Sequence, residues 1–149
     1  MKPLFFDTET YSECDLKREG LYRYAEHPST ELLVVCYAFD DQPVQTWVPE
    51  YDCFVPDDLR SHVESGGQIR AHNAQFEAAV DRVHMGYDQK DPLKVHDTQY
   101  LLFLTDPYAT SFSLKPSAQR VLGMEPEEQD AVVSWILANV PGSKRSDAG

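Results

Sequence analysis

The chain has 149 residues, with 13 Lys and Arg against 25 Asp and Glu, and a formal charge of −12 at pH 7. This length suits one domain of ordinary size, and a hydrophobic content of 42% excludes wholesale disorder. Three scattered cysteines without a Cys-x-x-Cys spacing (Cys14, Cys36 and Cys53) argue against a disulfide scaffold or a thiolate zinc site and fit a reducing cytosol.

Neither a membrane span nor a secretory signal is predicted. No apolar run approaches the roughly 18 residues that a span needs. The apolar start of the chain turns acidic at Asp7, which is too early for a signal peptide.

The first half of the chain predicts three antiparallel strands. The apolar run 4–6 stops at a polar edge, and the run 32–39 is rich in β-branched and aromatic residues. Residues 44–48 alternate after a turn, which is typical of a hairpin partner. A short helix is predicted over 18–25, although Gly20 disfavours a helix at that position.

The second half predicts helices alternating with short strands. A helix over 57–65, a strand over 68–71 and a helix over 74–85 are followed by a strand around Val95. The second of these helices carries Phe76, Ala79, Val80 and Val83 on its predicted core face. Helices over 98–104, 113–122 and 125–139 complete a domain over 1–140, and a polar tail occupies 141–149. The order predicts an α/β fold with a mixed sheet and helices on both faces.

Two carboxylates close the first predicted strand. Asp7 and Glu9 are two residues apart and so lie on one face of the strand end. Adjacent carboxylates repel each other unless a cation lies between them, and all-oxygen ligands favour Mg²⁺ or Mn²⁺. The alternative is an exposed acidic strand end without a ligand.

Further polar side chains stand where later strands pass into helices. Asn73 precedes one helix, where its amide can cap the helix or bond a neighbouring loop, and Glu77 lies on the first turn. Asp97 opens the next helix, where an N-cap is its favoured role. Because strand ends converge on one crevice in such sheets, Asp7, Glu9 and Glu77 are expected to form an acidic pocket with Asp97 near its rim.

These segments resemble a known family. Residues 6–10, Phe-Asp-Thr-Glu-Thr, match the first motif of the DEDD, or DnaQ-like, 3′–5′ exonucleases. Residues 71–77, Ala-His-Asn-Ala-Gln-Phe-Glu, resemble their second motif, an Asn followed four residues later by an acid. The Asp-Thr at 97–98 and the Ser-Leu…Ala…Leu-Gly pattern over 113–123 are similar to the proofreading domains of family A DNA polymerases, and the stretch 13–31 looks most like phage and prophage members.

The resemblance implies an RNase H-like fold and phosphodiester hydrolysis at DNA 3′ ends with two Mg²⁺ or Mn²⁺ ions. Asp7 would bridge both ions, Glu9 would hold the one that activates water, Glu77 would act on the second, and Asp97 is an additional candidate ligand. The implied partners are a single-stranded DNA 3′ end and a polymerase domain of the same or a companion chain, in the cytoplasm of a bacterium or phage-infected host. The implied substrate-binding residues are Thr8, Thr10, His72 and Asn73.

The chain departs from the family pattern in two ways. Glu77 stands where most members have Asp, and the third motif, a Tyr or His followed four residues later by an Asp, does not occur after residue 140. A C-terminal helix is therefore expected to be missing, and this chain alone is expected to degrade DNA slowly or undetectably. A non-catalytic remnant with a structural or interaction role, and an acidic α/β binding module, stay open as alternatives. The charge of −12 also disfavours nucleic-acid binding unless metal ions offset it.

Overall fold

A computed structural model of the chain describes residues 2–86 and 95–123. The chain divides into two compact units, Met1–Thr98 and Gln99–Gly149. The first unit contains a five-stranded sheet in the order β3-β2-β1-β4-β5. Its strands are β1 (Leu4–Tyr11), β2 (Glu31–Phe39), β3 (Gln45–Trp47), β4 (Ile69–Ala71) and β5 (Val95–Asp97).

Strand directions confirm the predicted mixed sheet. β2 pairs antiparallel with both β1 and β3, as expected for an opening meander of three strands. β4 pairs parallel with β1 and with β5, as expected for the βαβ units that follow. β1 therefore lies at the centre of the sheet, between the antiparallel and the parallel halves.

Four described helices belong to the first unit: α1 (Leu16–Glu19), α2 (Leu21–Glu26), α3 (Asp57–Glu64) and α4 (Ala74–His84). The single helix predicted over 18–25 is wrong, because the chain breaks into α1 and α2 at Gly20. Gly20 has a φ of +85°, a conformation that glycine adopts without the steric cost met by other residues.

The side chains of β1 alternate between the two faces of the sheet. Leu4, Phe6 and Thr8 are buried, while Phe5 and Asp7 are exposed on the opposite face. Phe6 and Thr8 pair with Tyr37 and Val35 of β2, which are buried on the same face. This face carries the main apolar cluster, formed by Leu4, Phe6, Val35, Tyr37, Trp47, Leu59 and Ile69.

In the remaining described stretch, α5 (Thr98–Thr105) starts directly after β5, and α6 (Leu114–Leu122) follows. Ser113 precedes α6 and Gly123, with a φ of +63°, ends it, as predicted. The predicted helix over 125–139, the domain boundary at 140 and the tail over 141–149 lie outside the described residues. Among the helices described here, none has the length and apolar character to cross a membrane.

Candidate active site at the end of strand β1

The polar end of β1 extends past the strand that flanks it. The parallel register between β1 and β4 covers only Leu4 opposite Ile69 and Phe5 opposite Arg70, whereas β1 continues to Tyr11. The chain leaving β4 enters α4 at this level. Asp7, Thr8 and Glu9 therefore lie beside the turn that starts α4.

Glu77 occupies this edge of the sheet. It lies on the first turn of α4 and is only 5% exposed. Its carboxylate accepts a hydrogen bond from the Thr8 hydroxyl. This bond holds the Glu77 carboxylate against the middle of the Asp7-Thr8-Glu9 segment.

Asp7, Glu9 and Glu77 interact electrostatically. Burial, followed by the charges of Asp7 and Glu9, raises the pKa of Glu77 to about 8, against the lowering effect of hydrogen bonding to Thr8. Burial raises the pKa of Asp7 although the charge of His72 lowers it, and burial together with the Asp7 charge raises the pKa of Glu9. The site thus concentrates carboxyl groups that are costly to ionise together.

The donor chemistry of these residues fits a hard divalent cation. Three carboxylates offer oxygen ligands, and a cation among them would relieve their mutual repulsion. The side chains do not form a complete metal site in this structure. Within residues 2–86 and 95–123, no three Asp, Glu, His or Cys residues are grouped to hold a metal ion. Asp7 and Glu9 project from the face of β1 opposite to Thr8, which engages Glu77. Within the described residues, the three carboxylates therefore do not form the single acidic pocket that the sequence predicts.

Asp97, at the end of β5, contacts the turn that starts α4. Its Oδ1 accepts a hydrogen bond from the backbone N–H of Asn73, and its Oδ2 accepts one from the N–H of Ala74, both at 3.1 Å. Asn73 has a left-handed φ of +65°, and its side chain makes no capping bond to α4. The predicted alternative in which the Asn73 amide caps this helix is therefore wrong, because the carboxylate of Asp97 caps it from the neighbouring strand.

The predicted substrate-binding side chains make contacts within the protein. Thr10 Oγ1 lies 2.8 Å from the Tyr24 hydroxyl, and His72 Nδ1 lies 3.1 Å from Thr98 Oγ1. The Thr8 hydroxyl, as noted, donates to Glu77. A role of these residues and of Asn73 in holding a nucleotide stays a prediction.

Sequence reasoning missed a buried acid on α4. Asp81 is 3% exposed and stands one turn after Glu77, and its Oδ1 has no hydrogen-bond partner among the described residues. Burial, and then the charge of Glu77, raises its pKa well above the usual range. The available signal for Asp81 was its spacing of four residues from Glu77, which places both acids on one side of α4.

The predicted placement of Val83 on the core face of this helix is wrong, since Val83 is 41% exposed.

Sequence comparison gives a relative among phage replication proteins. No protein-family model matches the chain. A DNA polymerase of Bacillus phage SP02 is 40% identical over 85 residues, which are 56% of this chain and 13% of the polymerase. The chain therefore spans about an eighth of the polymerase it matches.

Comparison with solved structures shows the fold. Brucella melitensis NrnC with bound Mg²⁺ matches with a TM-score of 0.64 at 19% identity, over 92% of this chain and 65% of that one. The same protein bound to pGG matches with a TM-score of 0.59 at 19% identity, over 86% of this chain and 56% of that one. These matches confirm the predicted RNase H-like α/β fold. The predicted resemblance is confirmed as well: in sequence the chain is similar to a phage DNA polymerase, and in fold it is similar to nucleases.

Proposed function

We propose that this chain is a metal-dependent 3′–5′ exonuclease domain that proofreads for a phage-type family A DNA polymerase. The observation that carries the proposal is the position of Glu77, on the first turn of α4, against Thr8 between Asp7 and Glu9. Carboxyls whose pKa values are strongly perturbed, as that of Glu77 is, are typical of reactive sites. The 40% identity to a phage DNA polymerase supports this class of function.

The proposed reaction is hydrolysis of the terminal phosphodiester bond. A water oxygen attacks the phosphorus, the bond to the 3′ oxygen of the preceding nucleotide breaks, and that oxygen takes up a proton. A 5′-mononucleotide leaves and the strand is one residue shorter. Thr8, Thr10, His72 and Asn73 would bind the terminal nucleotide, and Asp7 and Glu9 lie on the exposed face of β1, where a strand end can reach them.

Asp7, Glu9 and Glu77 are the residues that would hold two Mg²⁺ or Mn²⁺ ions. The ions would lower the pKa of the attacking water and stabilise charge on the leaving oxygen. A nuclease of the same fold has been described with bound Mg²⁺, which supports this assignment. The ions also answer the objection from the net charge of −12, because they offset the acids that would otherwise repel a phosphate backbone.

The partners follow from the same comparison. We infer that the substrate is a single-stranded DNA 3′ end and that a polymerase domain, in the same or a companion chain, delivers it. A nuclease of this fold bound to pGG supports a nucleic-acid substrate.

The test is the direction and metal dependence of digestion. A single-stranded DNA labelled at its 3′ end and a second one labelled at its 5′ end are incubated with the protein and Mn²⁺. Slow release of labelled mononucleotide from the 3′-labelled strand, with stepwise shortening of the 5′-labelled strand, is expected over a long incubation. EDTA should stop both.

The matched variants are Asp7→Asn and Glu77→Gln, which keep the shape of each side chain, with Glu50→Gln on the exposed surface as the control. The first two should lower the rate by at least about 10²-fold, since metal charge stabilisation is worth several kcal/mol. Glu50→Gln should retain the wild-type rate. Equal rates in all three variants, or digestion from the 5′ end, would contradict the proposal.

A further inference from the structure

We propose that Asp97 and Thr98, consecutive residues where β5 passes into α5, are positioning residues that hold the β4–α4 turn in place. Asp97 fixes the start of the helix that carries Glu77, and Thr98 fixes the ring of His72. This proposal deepens the proposed function and rests on it for its catalytic consequence. It gives Asp97 a backbone-binding role instead of metal ligation.

The contacts of Asp97 reach the turn across the sheet. In the parallel register of β4 and β5, Ala71 stands opposite Asp97, so the carboxylate lies directly beside the residues that follow β4. Its two oxygens take the N–H groups of Asn73 and Ala74. These are the donors that an α-helix leaves unsatisfied at its start, and a carboxylate there also meets the positive end of the helix.

The backbone conformation of Asn73 explains why this turn needs hydrogen bonds from Asp97. Its left-handed backbone is disfavoured for residues other than glycine, although Asn tolerates it better than most. The Asn73 side chain contributes no cap to α4. The Asp97 carboxylate therefore supplies from β5 the hydrogen bonds that hold this conformation.

Thr98 sets the ring orientation of His72. The Thr98 hydroxyl has a single proton, and it donates that proton to the Ala71 carbonyl at 3.2 Å. Thr98 Oγ1 is then left to accept from His72 Nδ1, at 3.1 Å, and this pairing assigns the Nδ1–H tautomer. The hydroxyl thereby holds in place a ring whose charge acts on the Asp7 carboxyl.

Both contacts act on the geometry of the proposed active site. Glu77 is three residues after Ala74, so a shift of the first turn of α4 moves its carboxylate away from Thr8. A misplacement of about one ångström can lower a catalytic rate about 10²-fold. Loss of a residue that orients a metal ligand typically weakens metal binding by about 10- to 100-fold.

The test uses Asp97→Asn, which turns one accepting oxygen into a donor facing a backbone N–H. Asp15→Asn is the matched control, because Asp15 Oδ1 also accepts two helix N–H groups, from Lys17 and Arg18, on the separate helix α1. Thr98→Val removes the hydroxyl with little change of shape, and Thr98→Ser restores it. Urea unfolding establishes which variants are folded before any other measurement.

The first readout needs no metal. Hydrogen exchange at the Asn73 and Ala74 amides should accelerate in Asp97→Asn and stay at the wild-type rate in Asp15→Asn. Unchanged exchange at both amides in a folded Asp97→Asn protein would overturn the proposal.

The second readout is Mn²⁺ affinity together with the kinetic constants. Asp97→Asn should bind the wild-type number of ions about 10- to 100-fold more weakly, with a fall in kcat and little change in KM for DNA. Thr98→Val should lower kcat and shift its pH profile, and Thr98→Ser should restore both. Loss of one bound ion with unchanged amide exchange would make Asp97 a metal ligand and overturn the proposal. Failure of the wild type to bind Mn²⁺ would instead contradict the proposed function, while the exchange result would still decide the role of Asp97.

Discussion

Two acidic regions of the first unit differ in how their charges are balanced. On α1 and α2, Asp15 caps a helix, Glu19 pairs with Arg23 at 2.8 Å, and Glu26 pairs with Arg82 at 2.8 Å. At the end of β1, none of the four acids forms an ion pair with a Lys or Arg within the described ranges 2–86 and 95–123; these acids are Asp7, Glu9, Glu77 and Asp81. These acids are also the ones whose pKa values are raised.

The difference separates acids that are paired with arginines at the surface from acids that have no Lys or Arg partner among the described residues. Exposed pairs such as Glu19 with Arg23 cost little to form and contribute little. Glu77 and Asp81 are buried, and a buried acid without a cation lowers the stability of the folded state. The cation that we propose at the end of β1 would reduce this cost. The predictions below measure that difference.

The largest expected effect is a loss of stability of the metal-free protein as pH rises. The folded state holds the pKa of Glu77 at about 8, above its ordinary value of 4.5, so it binds more protons than the unfolded chain between these values. The free energy of unfolding should therefore be highest near pH 4.5 and fall as pH rises toward 8, by on the order of a few kcal/mol. Asp7, Glu9 and Asp81 shift in the same direction.

Urea unfolding at pH 5 and pH 8 in the presence of EDTA measures this dependence. Glu77→Gln should flatten it, whereas Glu19→Gln on the paired surface should leave it unchanged. A wild-type protein as stable at pH 8 as at pH 5 would show that neither burial nor the neighbouring charges raise the pKa of Glu77 in the folded state.

The next effect is stabilisation by a divalent cation. An ion that binds only the folded state at 100 times its dissociation constant adds about 2.7 kcal/mol. Mn²⁺ should therefore raise the Tm of the wild type at pH 8, and Asp7→Asn should abolish the shift while keeping or improving the metal-free Tm. A shift of equal size in Asp7→Asn would place the ion elsewhere.

A smaller effect is expected at Asp81. Asp81→Asn keeps the shape of the side chain and removes the cost of ionising a buried carboxyl beside Glu77. The free energy of unfolding should rise at both pH values, and the rise should be larger at pH 8 than at pH 5. Asp41→Asn, on the exposed surface, is the control and should change neither value. A loss of stability at pH 8 would mean that the charged Asp81 is stabilised in the fold.

The smallest effect is expected on the paired surface. Glu19→Gln removes the ion pairs with Arg18 and Arg23, and Glu26→Gln removes the one with Arg82. Each substitution should cost no more than about 1 kcal/mol. Urea unfolding at low and at 0.5 M salt measures the cost, which should shrink with salt. Costs of several kcal/mol would remove the contrast between the two regions.

The sequence predicted the sheet because its strands carry strong local signals. The apolar run of β2 and the alternation of β3 are read directly from residues 32–48, and Gly123 marks the end of α6 by its backbone preference. Gly20 indicated a weak point in the helix predicted over 18–25, but it did not predict two separate helices. The residues on both sides favour a helix, and the positive φ of Gly20 is set by the fold.

The site was predicted only in part, because its decisive contacts are non-local. Asp7, Glu9 and Glu77 were identified from their positions at strand ends, but the burial of Glu77 against Thr8 depends on a pairing across 69 residues. The cap that Asp97 gives to α4 likewise spans 23 and 24 residues, which no local rule predicts. Asp81 was missed because a polar residue on a helix is normally placed in solvent.

The most direct test of the central claim, that Asp7, Glu9 and Glu77 hold the catalytic ions, is a count of bound Mn²⁺ by electron paramagnetic resonance at pH 7.5. We predict two ions for the wild type and for Glu50→Gln, and loss of both from Asp7→Asn, because the proposal assigns Asp7 to both ions. A wild type that binds no Mn²⁺, or an Asp7→Asn protein that binds as many ions as the wild type, would contradict the account.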